Sequence, residues 1–173
     1  MLQAFHEKVA VTAATGIAAT HIDGTTLHSH AGCGVPQTIA DFDKMRGPQA
    51  AARWRALEVL LIDEVSMISA EFFSSVERGA RLVRGNGEPW GGVQVVVCGD
   101  FAQLPPIERR PSPTLPKDAF LNRGFAFQSP AWRRSGMHEV ILTKGVCARH
   151  ARCRRLARDA NPSFRVCSVP PGG

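Results

Sequence analysis

The sequence predicts an α/β fold built on a parallel sheet, because strand-like apolar runs alternate with helix-like segments along the chain. Residues 8–13, 59–63 and 93–98 read as buried strands. The second run is apolar on both faces, which is typical of a central strand in a parallel sheet. Residues 49–57 are rich in alanine and favour a helix, and Ser69 can cap a further helix that carries an apolar stripe.

Composition predicts one globular domain without a membrane partner. The chain has 173 residues, of which 44% are hydrophobic and 21% charged, so it can bury a core and is not globally disordered. It has no run of about 18 apolar residues, the length that a membrane-spanning helix needs. Five cysteines, an odd number, and no visible signal peptide favour an intracellular protein with reduced thiols.

The net charge of +6 is concentrated near one end of the chain. Residues 146–173 carry six Arg and one Asp, whereas residues 1–145 are nearly neutral. This basic end is also rich in Cys and Pro and lacks apolar periodicity, so we expect a poorly ordered tail. One alternative is a zinc site formed by Cys147, His150, Cys153 and Cys167. Another is a shifted reading frame in the gene model.

Two adjacent carboxylates follow the central strand. Asp63 and Glu64 come directly after four apolar residues, which places them at a strand tip, where they avoid the cost of burial. There Asp63 can orient a hydrated Mg²⁺, and Glu64 can act as the general base toward a water that attacks a γ-phosphate. The alternative is a pair of solvated carboxylates that open a loop.

A second motif, residues 99–106, follows the next strand. Gly99 is expected to let the backbone turn, and the two prolines at its end stiffen the loop. Asp100 and Gln103 then lie at the same sheet edge as the two acids, and the Gln103 amide can contact a γ-phosphate or its attacking water. The alternative is a structural turn with an exposed amide.

Small and hydroxyl residues form a third pattern near the first strand. Thr12, Thr15 and Gly16 follow or end that strand, and Thr26 and His28 lie in the next loop. Small residues let a nucleic-acid backbone approach closely, and hydroxyl and N–H groups bind phosphates. This pattern fits a site that holds a single strand of DNA by its backbone. The alternatives are helix caps for the threonines and packing for His28.

The order of these motifs resembles that of the Pif-type DNA helicases, relatives of RecD in helicase superfamily one. The four matching blocks are TAATGIAA, GTTLHSHAGCG, IDEVSM and GDFAQLPP, at residues 12–19, 24–34, 62–67 and 99–106. The resemblance covers residues 8–144. It implies a RecA-like P-loop NTPase domain with a parallel sheet, of which residues 1–145 are a partial first lobe, incomplete at the N-terminus.

The resemblance also implies a function. It implies ATP hydrolysis coupled to five-prime to three-prime movement on single-stranded DNA and to unwinding at duplex junctions, by a monomer. It assigns Mg²⁺ to Asp63, catalysis to Glu64 and nucleotide sensing to Gln103, beside Asp100, with DNA contacts near Thr12, Thr15, Thr26 and His28. The family's processes are DNA repair, recombination and telomere maintenance, in the nucleus or mitochondrion of eukaryotes.

The sequence departs from the family pattern in two places. It contains no Gly-x-x-x-x-Gly-Lys-[Ser/Thr] phosphate loop, and after residues 142–144 it lacks the family's Arg-Gln pair and the second motor domain. A phosphate loop supplies preorganised donors to the nucleotide, so we expect this polypeptide to hydrolyse ATP poorly. The alternative function is a catalytically inactive DNA-binding or regulatory remnant of such a helicase.

Overall fold

Six strands form one sheet in this computed structural model, which describes residues 8–141 and the backbone of residues 164–169. In chain order the strands are β1 (Val9–Ala13), β2 (Thr25–Thr26), β3 (Val59–Asp63), β4 (Gln94–Asp100), β5 (His138–Ile141) and β6 (Phe164–Val169). Their order in the sheet is β2-β1-β3-β4-β6-β5. The strands β2, β1, β3 and β4 are parallel to one another, which confirms the predicted parallel α/β architecture.

Five helices connect these strands. They are α1 (Gly16–His21), α2 (Leu27–Ala31), α3 (Pro48–Ala56), α4 (Ala70–Arg84) and α5 (Pro130–Arg134), and shorter 3₁₀ segments lie at Ile39–Arg46, Val65–Met67, Pro89–Gly92 and Ala126–Gln128. The predicted helices at 49–57 and after Ser69 are therefore confirmed.

The longest helix, α4, shows how sequence determines packing. The Ser69 hydroxyl accepts a hydrogen bond from the Phe72 N–H at 3.0 Å, which satisfies one of the free N–H groups at the helix start. Gly85 ends the helix in the left-handed conformation, with φ of 64°. The predicted apolar stripe is buried in the main core: Phe72, Phe73, Val76, Ala80 and Val83.

Gly99 does not form the turn that the sequence predicted. It lies inside β4, which continues to Asp100, and its φ is not positive. Instead, its missing side chain permits a close backbone contact, because a Cβ at this position would lie 2.9 Å from the Val65 nitrogen. The end of β4 therefore packs directly against the segment that follows Glu64.

The basic end of the chain contributes a strand to the sheet. Residues Phe164–Val169 pair with β4 on one side and β5 on the other, whereas the sequence predicted a poorly ordered tail over residues 146–173. Cys147, His150 and Cys153 lie outside the described residues, as does the Cys167 side chain, so the zinc alternative is not tested. Within the described part, no helix is long and apolar enough to cross a membrane.

Candidate functional site

The predicted nucleotide residues meet at the carboxyl ends of parallel strands. Ala13 pairs with Asp63 across β1 and β3, and Ile62 pairs with Val97 across β3 and β4, so these three strands end at one rim of the sheet. A cleft of about 390 Å³ opens at this rim. It is lined by Thr15, Ile17, Ala18, His21, Glu64, Ser66, Met67, Gln103 and Leu104.

Glu64 is held in an unfavourable backbone conformation. Its φ and ψ are 53° and 43°, in the left-handed region, where a side chain other than glycine adds strain. Its N–H donates to Asp63 Oδ1 at 2.9 Å, which fixes the two adjacent carboxyl groups relative to each other. Such strain is often found where function requires one side-chain direction.

Negative charge accumulates at this rim. Burial raises the pKa of the Glu64 carboxyl, and the carboxylates of Asp63 and Asp100 raise it further. A divalent cation would relieve this repulsion, and carboxylate oxygens are the hard ligands that Mg²⁺ prefers. Among the described residues, no three His, Cys, Asp or Glu side chains are grouped to hold a metal. Asp63, at the end of β3, is the carboxylate whose chemistry fits such an ion.

The negative charges around Glu64 are expected to lower the free energy of unfolding at neutral pH. The pKa of the Glu64 carboxyl is higher in the folded chain than in the unfolded chain. As pH rises above the unfolded pKa of about 4.3, the unfolded chain loses this proton first, so the free energy of unfolding falls and stays lower at neutral pH. We expect Glu64→Gln to raise the melting temperature at pH 7.5, with the gain vanishing near pH 4. Calorimetry measures both values. Glu88→Gln, on the exposed loop after α4, is the matched control, and a destabilised Glu64→Gln at pH 7.5 would contradict the argument.

Cys98 belongs to this site, although no sequence pattern pointed to it. Its thiol donates to Asp63 Oδ1 at 3.2 Å from the neighbouring strand. Burial, followed by the hydrogen bond and negative charge of Asp63, raises the pKa of the thiol to about 12. A protonated thiol can therefore orient the proposed metal ligand, in the way that groups behind a ligand commonly do. Only the pairing of β3 with β4 brings these two residues together.

Asp100 holds Gln103 in place. Gln103 Nε2 donates to Asp100 Oδ2 at 3.1 Å, and the Gln103 N–H donates to the Asp100 carbonyl at 3.0 Å. The other carboxylate oxygen accepts the N–H of Ala102 at 2.9 Å. Asp100 thus organises the loop that presents Gln103 to the cleft, and the Gln103 side chain remains exposed.

The predicted DNA residues occupy different environments. Thr12 is fully buried, and its hydroxyl donates to the Leu61 carbonyl at 2.7 Å, so the prediction of a DNA contact by this side chain is wrong. Thr15 and Thr26 accept the N–H groups of Ala18 and Ser29, each at 3.2 Å, as caps of α1 and α2. Both caps lie at the same rim, because Ala13 pairs with Thr26.

Gly16 and His28 complete the predicted DNA set. Gly16 is exposed at the start of α1, with open space where a side chain would stand. His28 packs against Phe72 with ring centroids 4.1 Å apart, and burial lowers its pKa. The imidazole is therefore uncharged at neutral pH, and its stacking on Phe72 agrees with the alternative that His28 is a packing residue.

Comparison with known proteins agrees with these motifs. The PIF1-like helicase family model matches residues 1–165. The ATP-dependent DNA helicase PIF1 of Emericella nidulans is 42% identical over 142 residues, which are 79% of this chain and 18% of that protein. The human protein of the same name is 42% identical over 135 residues, 77% of this chain and 20% of its own length. The chain thus spans about a fifth of these relatives.

Solved structures show the same fold. The crystal structure of Pif1 helicase from Candida albicans has a TM-score of 0.64 and 40% identity, and covers 77% of this chain and 29% of its own. Pif1 helicase from Bacteroides, in complex with ADP-AlF3 and single-stranded DNA, has a TM-score of 0.59 and 34% identity over 74% of this chain and 30% of its own. The RecA-like α/β fold is therefore shown, and the chain belongs to the PIF1-like helicase family.

Proposed function

We propose that this chain is part of the first motor domain of an ATP-dependent DNA helicase, an enzyme that couples ATP hydrolysis to DNA unwinding. The observation that carries the proposal is the convergence of Thr15, Glu64 and Gln103 on one cleft at the ends of parallel strands. Ligands bind at this position in open α/β sheets. The relatives named above are ATP-dependent helicases, and one was solved with a nucleotide analogue.

Three residues at this rim would have different roles in ATP hydrolysis. Glu64 accepts the proton of the attacking water, a role that its raised pKa and its fixed backbone support. Asp63 would hold Mg²⁺, which would stabilise the negative charge that develops on the phosphate of bound ATP. Gln103, whose amide now bonds to Asp100, would contact the γ-phosphate and so sense the nucleotide state.

Single-stranded DNA is the proposed partner at the same rim. Relatives were solved with single-stranded DNA and at forked DNA. In this chain Thr15, Gly16 and Thr26 offer hydroxyl and backbone groups to phosphates, and His28 offers an uncharged ring edge. Thr12 is left out because it is buried. Five-prime to three-prime movement, action at duplex junctions and a monomeric state complete this proposal.

The proposed cellular roles come from the family resemblance. They are DNA repair, recombination and telomere maintenance, inside the cell and, in a eukaryote, in the nucleus or mitochondrion. Only the motor chemistry has support from the geometry of the cleft.

The test combines DNA binding with ATP turnover. We expect the chain to bind a fluorescent single-stranded oligonucleotide, and Gly16→Asp to weaken binding about tenfold by placing a negative charge beside the phosphates. Gly87→Asp, on the far loop, is the matched control with the same charge change. Equal binding by both variants and the parent would contradict the proposed DNA surface.

The second candidate function is a catalytically inactive DNA-binding or regulatory remnant. It would use the proposed DNA residues Thr15, Gly16 and Thr26 without ATP chemistry. Calorimetric titration with Mg·ATP separates the two functions, and this candidate requires no heat of binding and no turnover. Turnover that depends on Mg²⁺, rises with DNA and disappears in Glu64→Gln would exclude it.

A further inference from the structure

The outer edge of β1 is only partly covered. β1 pairs with β3 through all five of its residues, but with the two-residue strand β2 only through Thr12 and Ala13. Within the described sheet, the first three residues of β1 therefore have no strand partner on the β2 side. These residues are half-buried, whereas Thr12 and Ala13 are buried. Unpaired strand edges are the places where extended peptides bind to sheets.

The connection from α1 keeps this edge open. The Gly24 N–H donates to the Ala19 carbonyl at 2.9 Å, and Asp23 has a φ of 50°, so the chain turns sharply just before β2. Gly24 then lies so close to β1 that a Cβ there would be 2.5 Å from the Val11 oxygen. β2 therefore begins beside the middle of β1 and does not extend along its first residues.

A cavity of about 430 Å³ lies along this open edge. It is lined by residues 8–11 and 23–25 and by His30, Arg53, Ala56 and Leu57. None of these residues lines the cleft of the proposed nucleotide site, which is at the other end of β1. Three strand residues span about 10 Å, so a peptide can pair with this edge without reaching the cleft.

His30 presents an unpaired ring nitrogen at this cavity. Its Nε2 is buried and has no hydrogen-bond partner among the described residues. The ring packs edge-on against Trp54, with ring centroids 5.3 Å apart, which holds it in place. Burial, followed by the positive charge of Arg53, lowers the pKa of the imidazole to about 4, so it is neutral at pH 7 and can donate from Nε2. A ligand oxygen that accepts this bond would remove the cost of an unsatisfied buried group.

Arg53 supplies positive charge beside this imidazole. Its Nη2 donates to the carbonyl oxygens of Ser29 at 3.4 Å and His30 at 3.2 Å, which fixes the guanidinium against the last turn of α2. The ion pairs of the described residues do not include Arg53, whereas Lys8, the other cation of the cavity, pairs with Glu58 at 3.8 Å. One acidic side chain of a ligand would therefore complement the cavity at Arg53.

We propose that this cavity is a strand-addition site for an extended peptide of a partner protein, whose backbone pairs with the first three residues of β1 and whose single acidic side chain binds Arg53 and His30. The carboxylate accepts from the guanidinium and from Nε2–H, and the backbone pairing continues the sheet. Asp23, on the turn before β2, disfavours a second acid at that end of the cavity. The site does not depend on the proposed nucleotide and DNA chemistry.

Solution NMR of the full chain tests the site. The probe is a short peptide of alternating valine and threonine with one central glutamate. We expect it to shift the backbone amide signals of residues 9–11 with a dissociation constant of about 1 mM, because three paired residues form a small interface. The amide signals of Glu64 and Gln103, in the cleft, should stay in place. The same peptide with glutamine instead of glutamate should bind about fivefold more weakly.

N-methylation separates backbone pairing from side-chain binding. In a strand, only alternate residues direct their N–H groups toward a given neighbour, so only one alternate set of the peptide's N–H groups can face β1. We expect methylation of one alternate set to abolish binding and methylation of the other set to change it by less than about twofold. Equal effects of the two sets would overturn the strand pairing.

Arg53→Gln tests the acidic side chain. It should weaken binding of the glutamate peptide about fivefold and leave binding of the glutamine peptide unchanged. Arg55→Gln is the matched control, because Arg55 is exposed on the same helix and donates to a backbone carbonyl, that of Val83, at 3.3 Å. If Arg53→Gln does not fold, His30→Phe keeps a ring against Trp54, removes Nε2 and repeats the test. Unchanged binding of the glutamate peptide would overturn the acidic contact.

Other occupants of the cavity would give different results. A second copy of the chain would shift the same amide signals when the chain alone is concentrated, and DNA would shift them when a single-stranded oligonucleotide is added. Either result without a response to the peptide overturns the proposal, as does the absence of any shift at residues 9–11. Peptide binding by a chain that binds neither Mg·ATP nor DNA supports the site and counts only against the proposed function.

Discussion

Replacing Glu77 with alanine is expected to lower the free energy of unfolding by about 3 kcal/mol. Glu77 lies on α4 and is fully buried. Its Oε1 accepts from Arg81 Nε at 2.8 Å and from the Trp90 N–H at 3.4 Å, and its Oε2 accepts from Arg134 Nη2 at 2.9 Å. One carboxylate thus joins α4, the loop before β4 and α5.

The size of this effect follows from what remains after the change. Removing one partner of a buried ion pair costs about 3–5 kcal/mol when the other charge stays buried. Here the side chains of Arg81 and Arg134 are 29% and 49% exposed, so water can solvate them and the cost lies at the lower end. The buried N–H of Trp90 loses its acceptor, which adds to the penalty.

Urea denaturation measures the difference. Glu71→Ala is the matched control, because Glu71 is on the same helix and pairs with Arg123 at 2.8 Å, but near the surface. Such exposed pairs contribute less than about 1 kcal/mol. A Glu77→Ala variant that loses no more stability than Glu71→Ala would show that the three elements are held together by apolar packing alone.

The burial of Glu77 marks a limit of prediction from sequence. Helical periodicity predicted the apolar stripe on α4 correctly, yet it gives a carboxylate no reason to be inside. The partner Arg134 is 57 residues further along the chain. The local sequence pattern determines which face of a helix is apolar. The pairing of charges that are distant in sequence depends instead on how α4 and α5 pack.

Prediction of the cleft succeeded for a physical reason. Parallel strands end at a common rim, so acids and amides that follow such strands must lie near one another, and Glu64 and Gln103 do. The same reasoning failed for Thr12, because this residue lies within β1, before the strand end, and is fully buried. It also could not find Cys98, whose contact with Asp63 depends on the pairing of two strands.

The tail shows a different limit. Phe164–Val169 has no alternation strong enough to outweigh the Pro- and Arg-rich residues around it, so the sequence predicted disorder. The strand pairs with β4 along its whole length and with β5 on its other side. The strand propensity of its residues is a weak guide for such a segment, because pairing with the neighbouring strands stabilises the extended conformation.

Gly24→Ala is expected to destabilise the chain by about 2–3 kcal/mol and to weaken DNA binding. A Cβ at Gly24 would lie 2.5 Å from the Val11 carbonyl oxygen and 3.0 Å from its carbon. These are backbone atoms of β1, which cannot rotate away as a side chain does. The φ of Gly24 is not left-handed, so the effect is a steric clash between the residue before β2 and the backbone of β1.

The clash must be relieved by moving β2 away from β1, since β1 is also paired with β3. Thr26 ends β2 and caps α2, so the proposed DNA groups move with it, whereas Glu64 keeps its place on the far side of β1. Gly87→Ala, in open space, is the control and should change neither property. Thermal melting and oligonucleotide binding measure the two effects. If Gly24→Ala loses stability but binds DNA as the parent does, Thr26 and His28 do not contact DNA.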